Sequence, residues 1–243
     1  MATQQQQPPL PLPLAGRTAI VTGASRGIGR VIAVHLSSLG ADLVINYASN
    51  AASAESLVST LPRGAVTVRA GVSIASDVKA LFDRAEESFG GRPAHVLVNC
   101  AGILDLKYPS VAHTAEEDWD RTFAVNAKGA SLCCREAAAR LARGGGGRIV
   151  AVTTSVVGSR RPGYGAYAAS KAAVETMVGV MAKELKGTGI TANCVAPGLI
   201  VTAMFFVGRL GEVGDVAPVV GFLATDGSGW INGQVIRVNG GYV

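Results

Sequence analysis

The chain has 243 residues, 49% of them hydrophobic and only 16% charged, which excludes wholesale disorder because ample apolar surface is available to offset the entropy of ordering. The net charge of +5 is scattered, with no run of lysines or arginines, and this argues against a nucleic-acid partner while suiting an anionic small ligand. No stretch of about 18 residues lacks charges and breakers, so no membrane span is expected. The four cysteines, Cys100, Cys133, Cys134 and Cys194, lack metal-ligand spacing and fit a reducing compartment, hence a cytoplasmic location.

Residues 1–14 carry Gln4 to Gln7 and then Pro8, Pro9, Pro11 and Pro13, a composition that predicts a disordered or polyproline-like tail. The tail has no Arg and no Ser, so a transit peptide is not expected. From Thr18 onward short apolar runs alternate with longer amphipathic segments. The runs at 18–21, 42–46, 66–70, 95–99, 148–153, 190–195 and 234–238 are too short for stable helices and read as about seven strands. Between them, 28–39, 52–61, 76–89, 115–142, 166–186 and 213–224 read as helices, with Gly40 as a C-terminal cap of the first and Thr114 with Glu117 as a capping box before the fourth. Strands alternating with helices predict an α/β fold: one Rossmann-type, doubly wound parallel sheet with helices on both faces, spanning 15–243 as a single domain.

The first strand runs into Thr22-Gly23-Ala24-Ser25-Arg26-Gly27-Ile28-Gly29. A glycine turn between a strand and a helix is the context that binds a dinucleotide pyrophosphate. Gly23 permits the turn, Gly27 lets backbone approach the phosphates, and Gly29 lets the helix pack on the sheet. The second strand ends in Asn46-Tyr47-Ala48-Ser49 with no carboxylate to bind a ribose 2′-hydroxyl or repel a 2′-phosphate. With Arg26 in the turn and Ser49 as a donor, the charge pattern selects NADP(H) over NAD(H).

Tyr167 and Lys171 are four residues apart on a predicted helix and so share a face. A neighbouring ammonium would lower the phenol's pKa toward the acid–base range. Tyr164 has Ala168 at the matching position and is a decoy. Ser155 follows a buried strand, at the carboxyl edge where α/β sheets bind ligands, with Thr154 as the competing hydroxyl.

Together these motifs resemble the short-chain dehydrogenase/reductase family. Thr22 to Gly29 resembles its TGxxxGxG, Asn99-Cys100-Ala101-Gly102 its NNAG, and Asn126, Ser155, Tyr167 and Lys171 its catalytic tetrad. Pro197-Gly198 with Ile200 and Thr202 resembles the turn that contacts nicotinamide, and Asn239-Gly240-Gly241 the C-terminal ending. Among members, the chain is most similar to plant-type NADPH-dependent aldehyde reductase-like proteins, and then to 3-oxoacyl-(acyl carrier protein) reductases.

The resemblance implies transfer of a hydride from NADPH to a small aldehyde or ketone. Tyr167 would be the general acid, Ser155 would polarise the carbonyl oxygen, Lys171 would tune Tyr167 and hold the ribose, and Asn126 would order a relay water. Gly23, Ser25, Arg26, Gly27, Ile28, Gly29, Asn46, Tyr47, Ser49, Asn99, Ala101, Gly102, Tyr167, Lys171, Pro197, Gly198, Ile200 and Thr202 would line the cofactor site. It also implies a homotetramer or homodimer. Acyl-carrier-protein thioesters or polyketide-like naphthols are the alternative substrates, and a cofactor-binding protein with impaired catalysis is the alternative class. Four features depart from the family pattern. Cys100 replaces an Asn, Gly71 stands where an Asp is usual, and one residue fewer separates Ser155 from Tyr167. The segment 203–211, where relatives carry a substrate lid, is some 15–20 residues short; Phe205 and Phe206 would flank the mouth of the site.

Overall fold

The computed structural model describes residues 11–198 and 211–243. The short Val- and Ile-rich runs form seven strands: β1 (Thr18–Val21), β2 (Asp42–Tyr47), β3 (Ala65–Arg69), β4 (Val96–Asn99), β5 (Arg148–Val152), β6 (Thr191–Pro197) and β7 (Val235–Val238). They form one sheet in the order β3-β2-β1-β4-β5-β6-β7, with parallel pairs throughout. Parallel neighbours need long crossovers, and helices supply most of them. The longer helices are α1 (Gly27–Ser38), α2 (Ala51–Val58), α3 (Ala75–Ser88), α4 (Glu116–Phe123), α5 (Gly129–Arg140), α7 (Gly165–Glu184) and α8 (Val213–Ala224), with a single turn, α6 (Val156–Ser159), before α7.

Side chains alternate across the strands and so build two cores. Ile20, Leu97, Ile149 and Ala151 face one side, where they meet Leu81 of α3, Cys133 of α5 and Val174 of α7. Val21, Val98 and Val150 face the other, against Ile32 of α1 and Val220 of α8. Central strands covered on both faces lose the polar alternation of a half-exposed sheet, as the uninterrupted burial of β1, β4 and β5 shows.

Three expectations need correction. Leu14, assigned to the tail, is fully buried and its N–H donates to Leu39 O at 2.9 Å, so the packed unit begins before residue 15. The predicted helix 115–142 is two helices, α4 and α5, joined by a π-helical turn at Ala124–Lys128. Periodicity cannot register one extra residue in a turn. Thr114 caps no helix: its hydroxyl donates back to Ser110 O at 3.0 Å, and Ala115 stands at the N-cap without a side-chain bond. Gly40 does terminate α1, at φ +102° with its N–H on Ser37 O.

Strand order reverses between β1 and β4, and the crevice above their carboxyl ends is the topological switch point of the sheet.

Candidate active site

On the β1 side of this crevice the site is made of backbone. Thr22 closes the switch point: its hydroxyl donates to Asn99 Oδ1 at 3.3 Å and accepts the N–H groups of Cys100 and Ala101, both at 3.0 Å. Gly23 adopts φ +63°, and a Cβ there would lie 2.8 Å from Ala101 Cα. A Cβ on Gly29 would lie 2.6 Å from Gly23 O, which is why α1 can pack this closely on the turn. Gly27 differs, because a Cβ there would meet nothing within 4 Å although φ is +56°. Its open face and the start of α1, where Arg26 at the N-cap makes no side-chain cap bond, form a cradle that fits a pyrophosphate.

Asn46 plays a different part from the one expected. Its Oδ1 accepts Gly23 N–H at 3.2 Å and its Nδ2 donates to the carbonyls of Val68 and Ala70. The side chain is therefore a clamp that holds the glycine turn to β2 and β3. Ser25 O accepts the Ser53 hydroxyl, and Ile28 packs against the core. Arg26 and Ser49 are exposed at the rim, with Tyr47 partly buried at the end of β2. Two neighbours not read from sequence join them. Arg69 donates to Ala48 O at 3.3 Å, and Asp77 accepts Gly71 N–H at 2.9 Å, bringing a carboxylate beside the position where Gly71 lacks one.

On the β5 side the site is made of side chains. Lys171, 4% exposed, donates from Nζ to Val152 O at 2.8 Å. Asn126 lies within the π-helical turn, fully buried; its Oδ1 accepts Ile103 N–H at 2.8 Å, and its Nδ2 donates to Ile103 O and Ser170 Oγ. A Cβ on Gly102 would lie 3.3 Å from both Asn126 Oδ1 and Lys171 Nζ, so Gly102 leaves the floor of the pocket clear. Burial works against the expected lowering of the Tyr167 pKa by Lys171. Burial pushes the phenol up to about 12, against a hydrogen bond from Thr154, and the Lys171 ammonium is itself pushed down by burial. Tyr167 therefore stands fully protonated at neutral pH. Ser155 is turned away into the β5–β6 seam: its Oγ donates to Ala196 O and accepts Asn239 Nδ2, both at 2.9 Å.

Pro197 ends β6, and Gly198 is pressed so close to Asn239 that a Cβ would lie 2.9 Å from its Cα. Tyr164 walls a cleft that also involves Leu104, Pro109, Thr122 and Tyr167, with its ring edge-on to Tyr167 at 6.4 Å. Tyr108 supports that wall at 5.0 Å, in the left-handed region at φ 51°. Ile200, Thr202, Phe205 and Phe206 lie outside the described residues.

The profile of short chain dehydrogenases matches residues 17–208. The chain is 57% identical to a "NADPH-dependent aldehyde reductase-like protein, chloroplastic" of Arabidopsis thaliana, with full coverage of both chains, and 49% identical to "NADPH-dependent aldehyde reductase 2, chloroplastic" of the same plant over 95% of each. The first alignment runs over 272 positions, so it opens gaps in this 243-residue chain. A solved "promiscuous reductase LugOII", described as catalysing keto-reduction at C1 in lugdunomycin biosynthesis, superposes with a TM-score of 0.86 at 38% identity, covering 95% of this chain and 98% of its own. With the seven-stranded parallel sheet, the glycine cradle at its switch point and the Tyr167–Lys171 corner opposite, the chain belongs to the short-chain dehydrogenase family of nicotinamide-dependent oxidoreductases.

Proposed function

We propose that the chain is an NADPH-dependent reductase of small aldehyde or ketone carbonyls. The observation that carries this reading is the corner at Gly102, where the buried Lys171 Nζ and Asn126 Oδ1 each lie 3.3 Å from the place a Cβ would take, with Tyr167 one turn before Lys171 on α7. When bound, the nicotinamide supplies the hydride for the carbonyl carbon. Tyr167 holds the proton that the carbonyl oxygen receives, and its high pKa keeps that proton in place across the physiological range. Lys171, one turn further on, is placed to take a ribose hydroxyl, and Asn126 fixes the loop after β4 through Ile103. A second donor to the carbonyl oxygen comes from the Thr154–Ser155 pair at the end of β5.

The cofactor is NADP(H). The reading is supported by Gly23, Gly27 and Gly29, which shape a cradle for a pyrophosphate, by the exposed Arg26 and Ser49 as donors for a 2′-phosphate, and by the strand end's lack of a carboxylate. Asn99, Ala101 and Gly102 line the crevice from β4, and Pro197 and Gly198 from β6. Among the described residues no helix is long and apolar enough to cross a membrane. We place the protein in the cytoplasm, a compartment in which its four free thiols persist; the two plant relatives carry chloroplastic names, and imaging of a tagged full chain separates the two locations. A homodimer or homotetramer is supported by the exposed Phe222, Trp230 and Val235, the last on the edge strand β7. Light scattering at the monomer mass would contradict it.

The deciding experiment is NADPH oxidation measured against a panel of small carbonyls. Turnover of one or more supports the reading. NADPH binding by fluorescence without turnover of any carbonyl would favour a cofactor-binding protein instead.

A further inference from the structure

We propose that Asp105 determines substrate specificity: its buried carboxylate oxygen takes a hydrogen bond from a hydroxyl on the substrate, so the chain prefers carbonyls that carry a hydroxyl remote from the reacting carbon over their unsubstituted and anionic analogues. The proposal rests on the reductase reading above and names the substrate class of the same site.

The placement comes from the loop after β4. Asn126 grips that loop at Ile103, accepting its N–H at 2.8 Å and donating to its carbonyl at 2.9 Å. Asp105 follows two residues later, no more than about 7 Å further along an extended chain. Its position is therefore tied to the corner that holds Gly102 and Lys171. Asp105 and Tyr167 line the same cleft, which Tyr164 walls.

One oxygen of this carboxylate has no partner. Oδ1 accepts the Lys107 N–H at 2.9 Å, whereas Oδ2 is buried and accepts no hydrogen bond from the described residues. An ionised carboxylate can only accept, and a buried acceptor left empty is costly, so the donor that completes it comes from outside the chain. A site already short of a donor favours a ligand that brings one and discriminates against the analogue that does not.

The other polar groups of the cleft are already engaged. Thr122 spends its hydroxyl proton on Asp118 O at 2.7 Å, and Thr114 on Ser110 O at 3.0 Å. The second carboxylate, Asp118, is answered by Arg121 at 3.0 Å and Lys107 at 3.5 Å. Asp105 forms no such ion pair among the described residues, so its charge faces the cleft without a cation. An anionic substrate would set a like charge against it, whereas a neutral hydroxyl brings the proton that Oδ2 lacks. The apolar lining, Leu104 and Pro109, suits the carbon frame that joins hydroxyl to carbonyl.

The test uses aldehydes of one shape: para-hydroxymethylbenzaldehyde, para-methylbenzaldehyde and para-carboxybenzaldehyde, with the meta series beside them. In the better series kcat/KM for the hydroxymethyl compound should exceed that for the methyl compound by about tenfold or more, chiefly through KM, and the carboxy compound should be the poorest. Asp105→Asn keeps the side-chain shape and an acceptor for the Lys107 N–H while removing the charge. It should shrink the hydroxymethyl-to-methyl ratio about fivefold or more and improve the carboxy compound. Equal rates for hydroxymethyl and methyl compounds in the wild-type chain overturn the proposal, and so does a ratio that Asp105→Asn leaves in place. A loss shared equally by all compounds, with a lowered Tm, would make Asp105 a purely structural residue and overturns it too. Should the variant fail to fold, the wild-type order of the compounds decides alone. Binding of the product-like alcohols to the NADPH complex keeps the two readings apart. A chain that reduces no carbonyl defeats the reductase reading; tighter binding of para-benzenedimethanol than of para-methylbenzyl alcohol would still support Asp105, and equal binding would sink it as well.

Discussion

The two sides of the crevice are built from different materials. At the β1 turn the working parts are backbone groups and empty space: Gly23 and Gly29 exist because a Cβ would strike Ala101 or Gly23 itself, and Gly27 because its open face must stay open. At the β5 corner the working parts are side-chain atoms whose direction matters: Lys171 Nζ, Tyr167, Thr154 and Ser155. A site made of backbone depends on which residues are absent, and a site made of side chains depends on where each proton points.

The largest effect should fall on the side-chain half. Tyr167→Phe removes the only proton the mechanism gives to the carbonyl oxygen, and turnover should drop about 10²–10⁴-fold while NADPH still binds. A variant that keeps more than a few per cent of the wild-type rate would break the division of labour between the two halves.

The backbone half is probed by two glycines that differ in their surroundings. Gly23→Ala combines φ +63° with a 2.8 Å approach to Ala101 Cα, so it should lower Tm and weaken NADPH binding together. Gly27→Ala meets no protein atom, so its strain of about 1–2 kcal/mol is the whole cost to folding. Its larger effect, about tenfold or more on the NADPH dissociation constant, should come from the methyl group filling the cradle. Equal losses of Tm in both, with binding intact in Gly27→Ala, would show that the pyrophosphate lies elsewhere.

The same contrast explains how far sequence alone could go. Seven strands and the ends of most helices were legible because period and glycine placement are written in residue type. The glycine turn was legible for the same reason. What escaped was direction and register. Asn46 was read as a cofactor contact because a polar residue ends β2, yet four of its hydrogen bonds are internal. Ser155 was read from a motif, and no periodicity reveals that its hydroxyl bonds Ala196 O and Asn239 Nδ2. The π-helical turn that carries Asn126 has no compositional mark. Burial pushes the Tyr167 phenol up to about 12, and residue spacing does not reveal burial.

A third prediction concerns the rim where the two halves meet the adenosine end. Arg26 is exposed, and no carboxylate follows β2. Arg26→Ala should raise the NADPH dissociation constant about tenfold and leave that for NADH near its wild-type value, so the ratio reports charge recognition rather than folding. Equal loss for both cofactors would assign Arg26 to the turn's structure.

The smallest effect distinguishes the cores behind the two halves. Behind the catalytic corner, Cys133 and Cys134 on α5 and Cys194 on β6 are buried, and burial pushes each thiol up to about 12. Tyr167 is raised to about 12 as well. In each case the folded chain keeps a proton that the unfolded chain gives up near its ordinary pKa, about 9 for the thiols. Above that value the unfolded state binds fewer protons, so stability falls as pH rises. Lys171 acts with the opposite sign, because its lowered pKa makes folding easier as pH approaches the ordinary lysine value. It is one group against four thiols, with Cys100 pushed up to about 11 by burial, and a phenol, so the net slope is downward. The core on the α1–α8 face contains no fully buried cysteine and only Cys100 packed at its edge. Tm should therefore hold from about pH 7 to about pH 8.5 and decline steadily above about pH 9. Replacing Cys194 with Ala should flatten that decline while lowering Tm at neutral pH through the cavity it leaves. A Tm that stays level through about pH 10 in the wild-type chain would mean that these thiols ionise without opening the catalytic-side core.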